Sequence, residues 1–81
     1  MTHPKRLTKM QRLAKKLLST RTRSDAVWVL QDMVDLSSAK HGLPYEDLEE
    51  TYLGLRDDEN EGTRTTTMKD VRKLAKYYLR G

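Results

Sequence analysis

The stretch AVWVLQDMVDL, residues 26–36, carries Ala, Val, Leu or Met at seven of its eleven positions. At about 100° per residue these side chains cover roughly half of a helical wheel, more than the single stripe of a surface helix. The pattern therefore predicts a central helix that packs against more than one neighbour. Ser24 is a good N-cap for this helix, with Asp25 near the positive end of the helix dipole. The helix is expected to run to about Lys40, with Gly42 as its stop.

Amphipathic helices are predicted at the two ends of the chain. Thr8 and Gln11 have the spacing of a capping box, which favours a helix from Lys9 to near Ser19. Its apolar face consists of Met10, Leu13, Ala14, Leu17 and Leu18. At the other end, Thr66 or Thr67 is a cap for a helix over residues 68–79. Its buried face is expected to contain Met68, Val71, Leu74, Ala75, Tyr78 and Leu79.

A third helix is predicted after Pro44, which is tolerated at a first helical position. Tyr45, Leu48, Tyr52 and Leu55 give it a narrow apolar stripe. The following residues 56–66 contain no apolar side chain but several acids. We therefore expect a flexible acidic loop there.

These elements predict an all-α fold, a small bundle of about four short helices. At 81 residues the chain is expected to form one domain over 1–81, with residues 1–7 as an N-terminal arm. The absence of cysteine excludes a disulfide framework and a thiolate metal site, and fits a cytoplasmic location. The acid-poor N-terminus overlaps in composition with mitochondrial presequences, an alternative location. The longest apolar run, residues 26–30, is too short for membrane insertion.

Charge is strongly segregated along the chain. Residues 1–23 contain eight Lys or Arg and no acid, residues 24–62 contain two bases and eleven acids, and residues 63–81 contain six bases and one acid. If the first and last helices are neighbours, their basic faces merge into one positive surface. This arrangement predicts electrostatic binding of DNA or RNA, by a monomer or homodimer, through Lys9, Arg12, Lys15, Lys16, Lys69, Arg72, Lys73, Lys76 and Arg80.

Three other interpretations of the charge remain open. The basic faces are solvated beside the chain's own acids, they bind an acidic protein or a lipid surface, or the acidic face docks a basic protein. In the last case the protein is a regulator or inhibitor that docks through the acidic loop, Trp28 or the acids of the third helix, Glu46, Asp47, Glu49 and Glu50. Trp28 lies on the polar side of its helix, as an exposed anchor or covered by the arm or the fourth helix. Tyr77 borders the basic stripe, where it stacks on a base or flanks the core.

Several specific activities are disfavoured. A helix-turn-helix over residues 34–53 would present the acids of the third helix to DNA phosphates. Asp57, Glu59 and Glu61 match the start of an EF-hand loop, but the position of its bidentate glutamate is Met68. His3 and His41 are isolated, and no nucleophile or phosphate-loop motif is present. The sequence therefore predicts no catalytic residue, no metal and no cofactor in a protein that acts by binding.

Overall fold

Within residues 7–41 and 46–80 the protein is a bundle of four helices. The computed structural model describes residues 7–41 and 46–80, and within them no strand occurs. The helices are α1 (Lys9–Ser19), α2 (Arg23–His41), α3 (Glu46–Glu61) and α4 (Met68–Leu79). The predicted all-α fold is confirmed. Most of the predicted N-terminal arm, the stop at Gly42 and the start at Pro44 lie outside the described residues. Within the described ranges no helix has the length and apolar character needed to cross a membrane.

Capping boxes fix the starts of α1 and α4. The hydroxyl of Thr8 accepts a hydrogen bond from the N–H of Gln11 at 3.1 Å, and the Gln11 side chain accepts one from the N–H of Thr8 at 3.0 Å. Thr67 and Asp70 exchange the equivalent bonds, each at 3.2 Å. Each cap stabilises its helix by about 1 kcal/mol, because it satisfies backbone donors that the helix leaves unpaired. The predicted bounds of both helices are confirmed, with Thr67 as the cap.

Two helix boundaries differ from the prediction. The hydroxyl of Thr22 accepts a hydrogen bond from the N–H of Asp25 at 3.1 Å, so Thr22 rather than Ser24 caps α2. Residues 56–61 belong to α3, so the prediction of a flexible acidic loop over residues 56–66 is wrong for these six residues. The helix ends only at Gly62, whose φ of 72° reverses the chain direction.

The extension of α3 is explained by Asp58, a buried carboxylate in its last turn. One carboxylate oxygen accepts hydrogen bonds from the Thr63 hydroxyl at 2.6 Å and from the N–H and hydroxyl of Thr65 at 3.0 and 2.7 Å. The other accepts from the N–H of Thr66 at 2.7 Å and from the Arg23 guanidinium at 2.9 Å. Asp58 therefore ties the start of α2 and the α3–α4 connection to the end of α3.

These hydrogen bonds keep Asp58 ionised. Burial by itself raises the pKa of the Asp58 carboxyl, because it disfavours the charged form. The hydrogen bonds from Thr63, Thr66 and Thr65 lower the pKa by more, so it lies well below its usual value of 3.8. A buried charge of this kind is tolerated only when its acceptor sites are filled, as they are here.

The core lies between the four helices, and each of them contributes residues to it. It is formed by Ala14, Leu17, Ala26, Val29, Leu30, Met33, Leu48, Leu55, Val71, Leu74 and Ala75. α2 packs against both α1 and α3, which confirms the prediction that it has more than one neighbour. α1 packs in turn against α4, and this contact is the most extensive between any two of the four helices.

Gly54 lies where α3 passes the α3–α4 connection. A methyl group at this position would collide with the hydroxyl oxygen of Thr66. The backbone of Thr66 is held in place because its N–H bonds to Asp58 and its carbonyl accepts from Arg23 at 2.7 Å, so relief of the collision requires the Thr66 side chain to change its rotamer. The absence of a side chain at Gly54 therefore allows the connection to lie close to the helix.

We expect Gly54→Ala to destabilise the protein by about 1–3 kcal/mol, as overpacking commonly does. Helix propensity alone would favour alanine by about 1 kcal/mol. In a Thr66→Ala background the collision is removed, so the same substitution should stabilise the fold by up to about 1 kcal/mol. Urea unfolding of the wild type, Gly54→Ala, Thr66→Ala and the double variant measures the effect of Gly54→Ala on stability in both backgrounds. Stabilisation by Gly54→Ala in the wild-type background would contradict the proposed packing.

Candidate nucleic-acid interface

The nine predicted basic residues all lie on the outside of α1 and α4. Each is exposed, whereas the opposite faces bury Ala14 and Leu17 on α1 and Val71, Leu74 and Ala75 on α4. We call the set the basic surface: Lys9, Arg12, Lys15, Lys16, Lys69, Arg72, Lys73, Lys76 and Arg80. The amphipathic pattern read from the sequence therefore corresponds to the observed burial.

The two halves of the basic surface border each other. A groove between α1 and α2 is lined by Lys16, which places α2 on the Lys16 side of α1. A second groove, between α3 and α4, is lined by Lys73, which places α3 on that side of α4. At about 100° per residue, Lys15 and Arg72 lie on the opposite flanks of their helices. Because α1 and α4 are in contact, these are the flanks that face each other, and the predicted neighbourhood of the two helices is confirmed.

The cations of the basic surface are not neutralised by the protein's own acids. Among residues 7–41 and 46–80, the ion pairs involve other arginines: Arg23 with Asp58 at 2.9 Å and with Glu59 at 3.2 Å, and Arg56 with Asp57 at 3.5 Å. None of the nine residues of the basic surface takes part in an ion pair within this part of the chain. Their charges are therefore open to an external anion.

The acids proposed for protein docking lie at the start of α3. Glu46, Asp47, Glu49 and Glu50 are all exposed. Glu46, Asp47 and Glu49 belong to the first turn, where negative charge interacts favourably with the helix dipole. Asp47 and Glu50 also line the groove between α3 and α4. Lys73 of the basic surface lines the same groove, so the acidic cluster borders the basic surface on the α3 side of α4.

Trp28 projects from α2 into solvent. Its side chain is 68% exposed, so no described residue covers it, and the expectation of cover by the fourth helix is wrong. The ring borders the groove between α1 and α2, which Lys16 and Arg21 also line. Most of the predicted covering arm lies outside the described residues. Trp28 is therefore an exposed aromatic side chain at the edge of the basic surface.

Tyr77 is the second exposed aromatic residue, at 58%. Its ring meets that of Tyr78 edge to face, with centroids 5.5 Å apart. Tyr78 is half-buried, and burial together with nearby Tyr77 and Asp47 raises the pKa of its phenol. The structure places Tyr77 on the surface beside Lys73 rather than in the core.

The segment that resembles an EF-hand loop is helical. Asp57, Glu59 and Glu61 belong to the last turns of α3, so they do not wrap around a common centre as a calcium loop requires. Over the two described ranges, no group of three acidic or histidine side chains is placed to hold a metal ion.

Sequence reasoning missed Arg23 and Asp58 as a pair. They are separated by 35 residues, and several neighbouring acids look equivalent in the sequence. The threonine-rich segment 63–67 was the available signal, since clustered hydroxyls can satisfy a buried carboxylate.

Comparison with known proteins gives no relative from which a function can be transferred. No family model, curated protein or solved structure matches the chain.

Proposed function

We propose that this protein acts by binding, not catalysis, and associates electrostatically with DNA or RNA through the basic surface. The observation that carries the proposal is the placement of nine exposed cations on two helices in contact, with no ion pair to any of the nine within residues 7–41 and 46–80. A polyanion gains from such a surface because each phosphate that is neutralised releases condensed counterions. The cysteine-free sequence fits action in the reducing cytoplasm.

The basic surface has a cost to the folded protein. Arg12 and Lys16, Lys69 and Lys73, Arg72 and Lys76, and Lys76 and Arg80 are like-charge pairs four residues apart on a helix. Each such pair destabilises a helix by about 0.2–0.5 kcal/mol. A bound phosphate backbone would relieve this repulsion, which supports a functional reason for the arrangement.

The chemistry of the surface favours contacts with phosphates over reading of base sequence. Its groups are flexible ammonium and guanidinium side chains on the outer faces of two helices in contact. Contacts of this type position a protein on nucleic acid but carry little sequence information. We therefore expect binding that depends strongly on salt and weakly on sequence.

A salt series tests the proposed function. Labelled single-stranded DNA, RNA and duplex DNA are titrated by fluorescence polarisation between about 50 and 300 mM NaCl. With five to eight phosphates contacted, the logarithm of the binding constant should fall against the logarithm of salt with a slope of roughly −4 to −7. Binding that is absent at the lowest salt, or that salt does not weaken, would contradict the proposal.

A second candidate function is a regulator that docks on a basic protein. The exposure of Trp28 and of the acids at the start of α3 favours it, because tryptophan is a frequent anchor of interfaces. Clustered carboxylates can also imitate the phosphates that a basic protein surface binds. The salt series separates the two candidates, since this regulator would bind none of the three nucleic acids.

A further inference from the structure

We propose that the nucleic acid bound by the protein is single-stranded and that one of its bases stacks on Trp28. This inference rests on the proposed function and extends it, since it names the form of the nucleic acid and an aromatic contact outside the basic surface.

Trp28 has the exposure that a stacking platform needs. At 68% it is the most exposed large apolar side chain in the described parts of the chain. Leaving an indole in water forfeits the apolar area that it could bury, so an exposed ring beside a charged surface favours an aromatic or apolar ligand. Nucleic acid bases offer such faces, and stacking on them tolerates any sequence.

Cations lie on both sides of Trp28. Lys16 and Arg21, both exposed, line the groove on the α1 side, together with Asp25 and Asp32 of α2. On the other side of the ring, Arg56 and Glu59 of α3 line a second groove. A phosphate beside the ring therefore has a cation within reach on either side.

The exposed ring distinguishes single-stranded from duplex nucleic acid. In a duplex the bases are paired and stacked inside, out of reach of the ring. A single strand can keep its one backbone on Lys16 and Arg21 and turn an unpaired base onto Trp28.

Fluorescence provides a direct test, because Trp28 is the only tryptophan in the sequence. The full chain is titrated with an oligothymidylate of about twelve nucleotides and with an abasic oligodeoxyribose phosphate of equal length. We expect the oligothymidylate to quench the Trp28 emission and the abasic strand to leave it nearly unchanged. Trp28→Ala should weaken oligothymidylate binding by roughly 5- to 150-fold without affecting the abasic strand. The substitution replaces an exposed side chain, so circular dichroism should show unchanged helicity.

The possible failures are distinguishable. If both oligomers bind in a salt-dependent manner, but Trp28 emission and the affinity of Trp28→Ala are unchanged, the stacking inference is wrong and the proposed function stands. Equal or tighter binding of duplex DNA would also overturn the inference. If neither the two oligomers nor duplex DNA binds, both the proposed function and the stacking inference are wrong.

Discussion

Asp58→Asn should lower the melting temperature by at least about 10 °C, the largest stability effect that we expect from a single isosteric substitution. Each carboxylate oxygen of Asp58 accepts at least two hydrogen bonds, and each receives one from a backbone N–H, of Thr65 or of Thr66. Whichever way the asparagine amide is turned, its NH2 group faces one of these donors. Arg23 also loses its buried counter-charge.

Asp57→Asn is the matched control for this substitution. Asp57 is adjacent in sequence and exposed, and its ion pair with Arg56 spans 3.5 Å at the surface. Exposed pairs of this kind contribute about 0–1 kcal/mol, so the control should melt close to the wild type. The melting temperatures of the wild type, Asp58→Asn and Asp57→Asn are measured by thermal unfolding, with circular dichroism as the signal. Equal melting temperatures for the two variants would show that Asp58 does not organise the α3–α4 connection.

The Asp58 effect should depend on pH in a defined direction. The pKa of Asp58 in the folded protein lies below its usual value of 3.8, which we take for the unfolded chain. Its stabilisation is therefore complete well above pH 3.8 and is lost as the pH falls below that value toward the folded-state pKa. The difference in stability between the wild type and Asp58→Asn should shrink over the same range. A difference that stays constant from neutral to strongly acidic pH would exclude an ionised Asp58 as its source.

The sequence predicted those parts of the fold that depend on local signals. The bounds of α1 and α4 follow from a capping box at one end and an apolar face along the helix. Both signals can be recognised in the sequence itself. The end of α3 is different. Asp58 acquires its role only when Arg23 and residues 63–66 surround it, and nothing local distinguishes it from Asp57. The end of that helix was therefore not predictable from propensity or periodicity.

The candidate site was predictable in composition but not in its arrangement. The exposure of all nine basic residues follows from their spacing opposite the apolar positions, because one face of an amphipathic helix must be buried. The contact of α1 with α4 depends on how four helices pack, which the sequence pattern leaves open. The sequence likewise did not decide whether Trp28 is exposed or covered, since this depends on which helix lies beside the outer face of α2.

The strongest expected effect on binding comes from reversing charge on the exposed face of α4. Arg72→Glu/Lys76→Glu removes two adjacent cations of the basic surface. We expect the slope of the salt dependence to become shallower by about 2 and the affinity at low salt to fall on the order of 100-fold. The helix should remain stable, because both positions are exposed and a glutamate at position 76 is four residues before Arg80.

The matched control is Arg56→Glu/Arg64→Glu, which changes the net charge by the same amount, from +4 to zero. Arg56 lies on α3, where it lines a groove with Trp28, and Arg64 lies in the α3–α4 connection. Both are exposed and outside the basic surface. If binding depended only on net charge, the two double variants would lose equal affinity. If phosphates contact the α1–α4 surface, the control should lose only a few-fold and keep the wild-type salt slope, because distant charges are screened within about 10 Å. An equal loss in both variants, measured in the same salt series, would therefore remove the basic surface as the binding site.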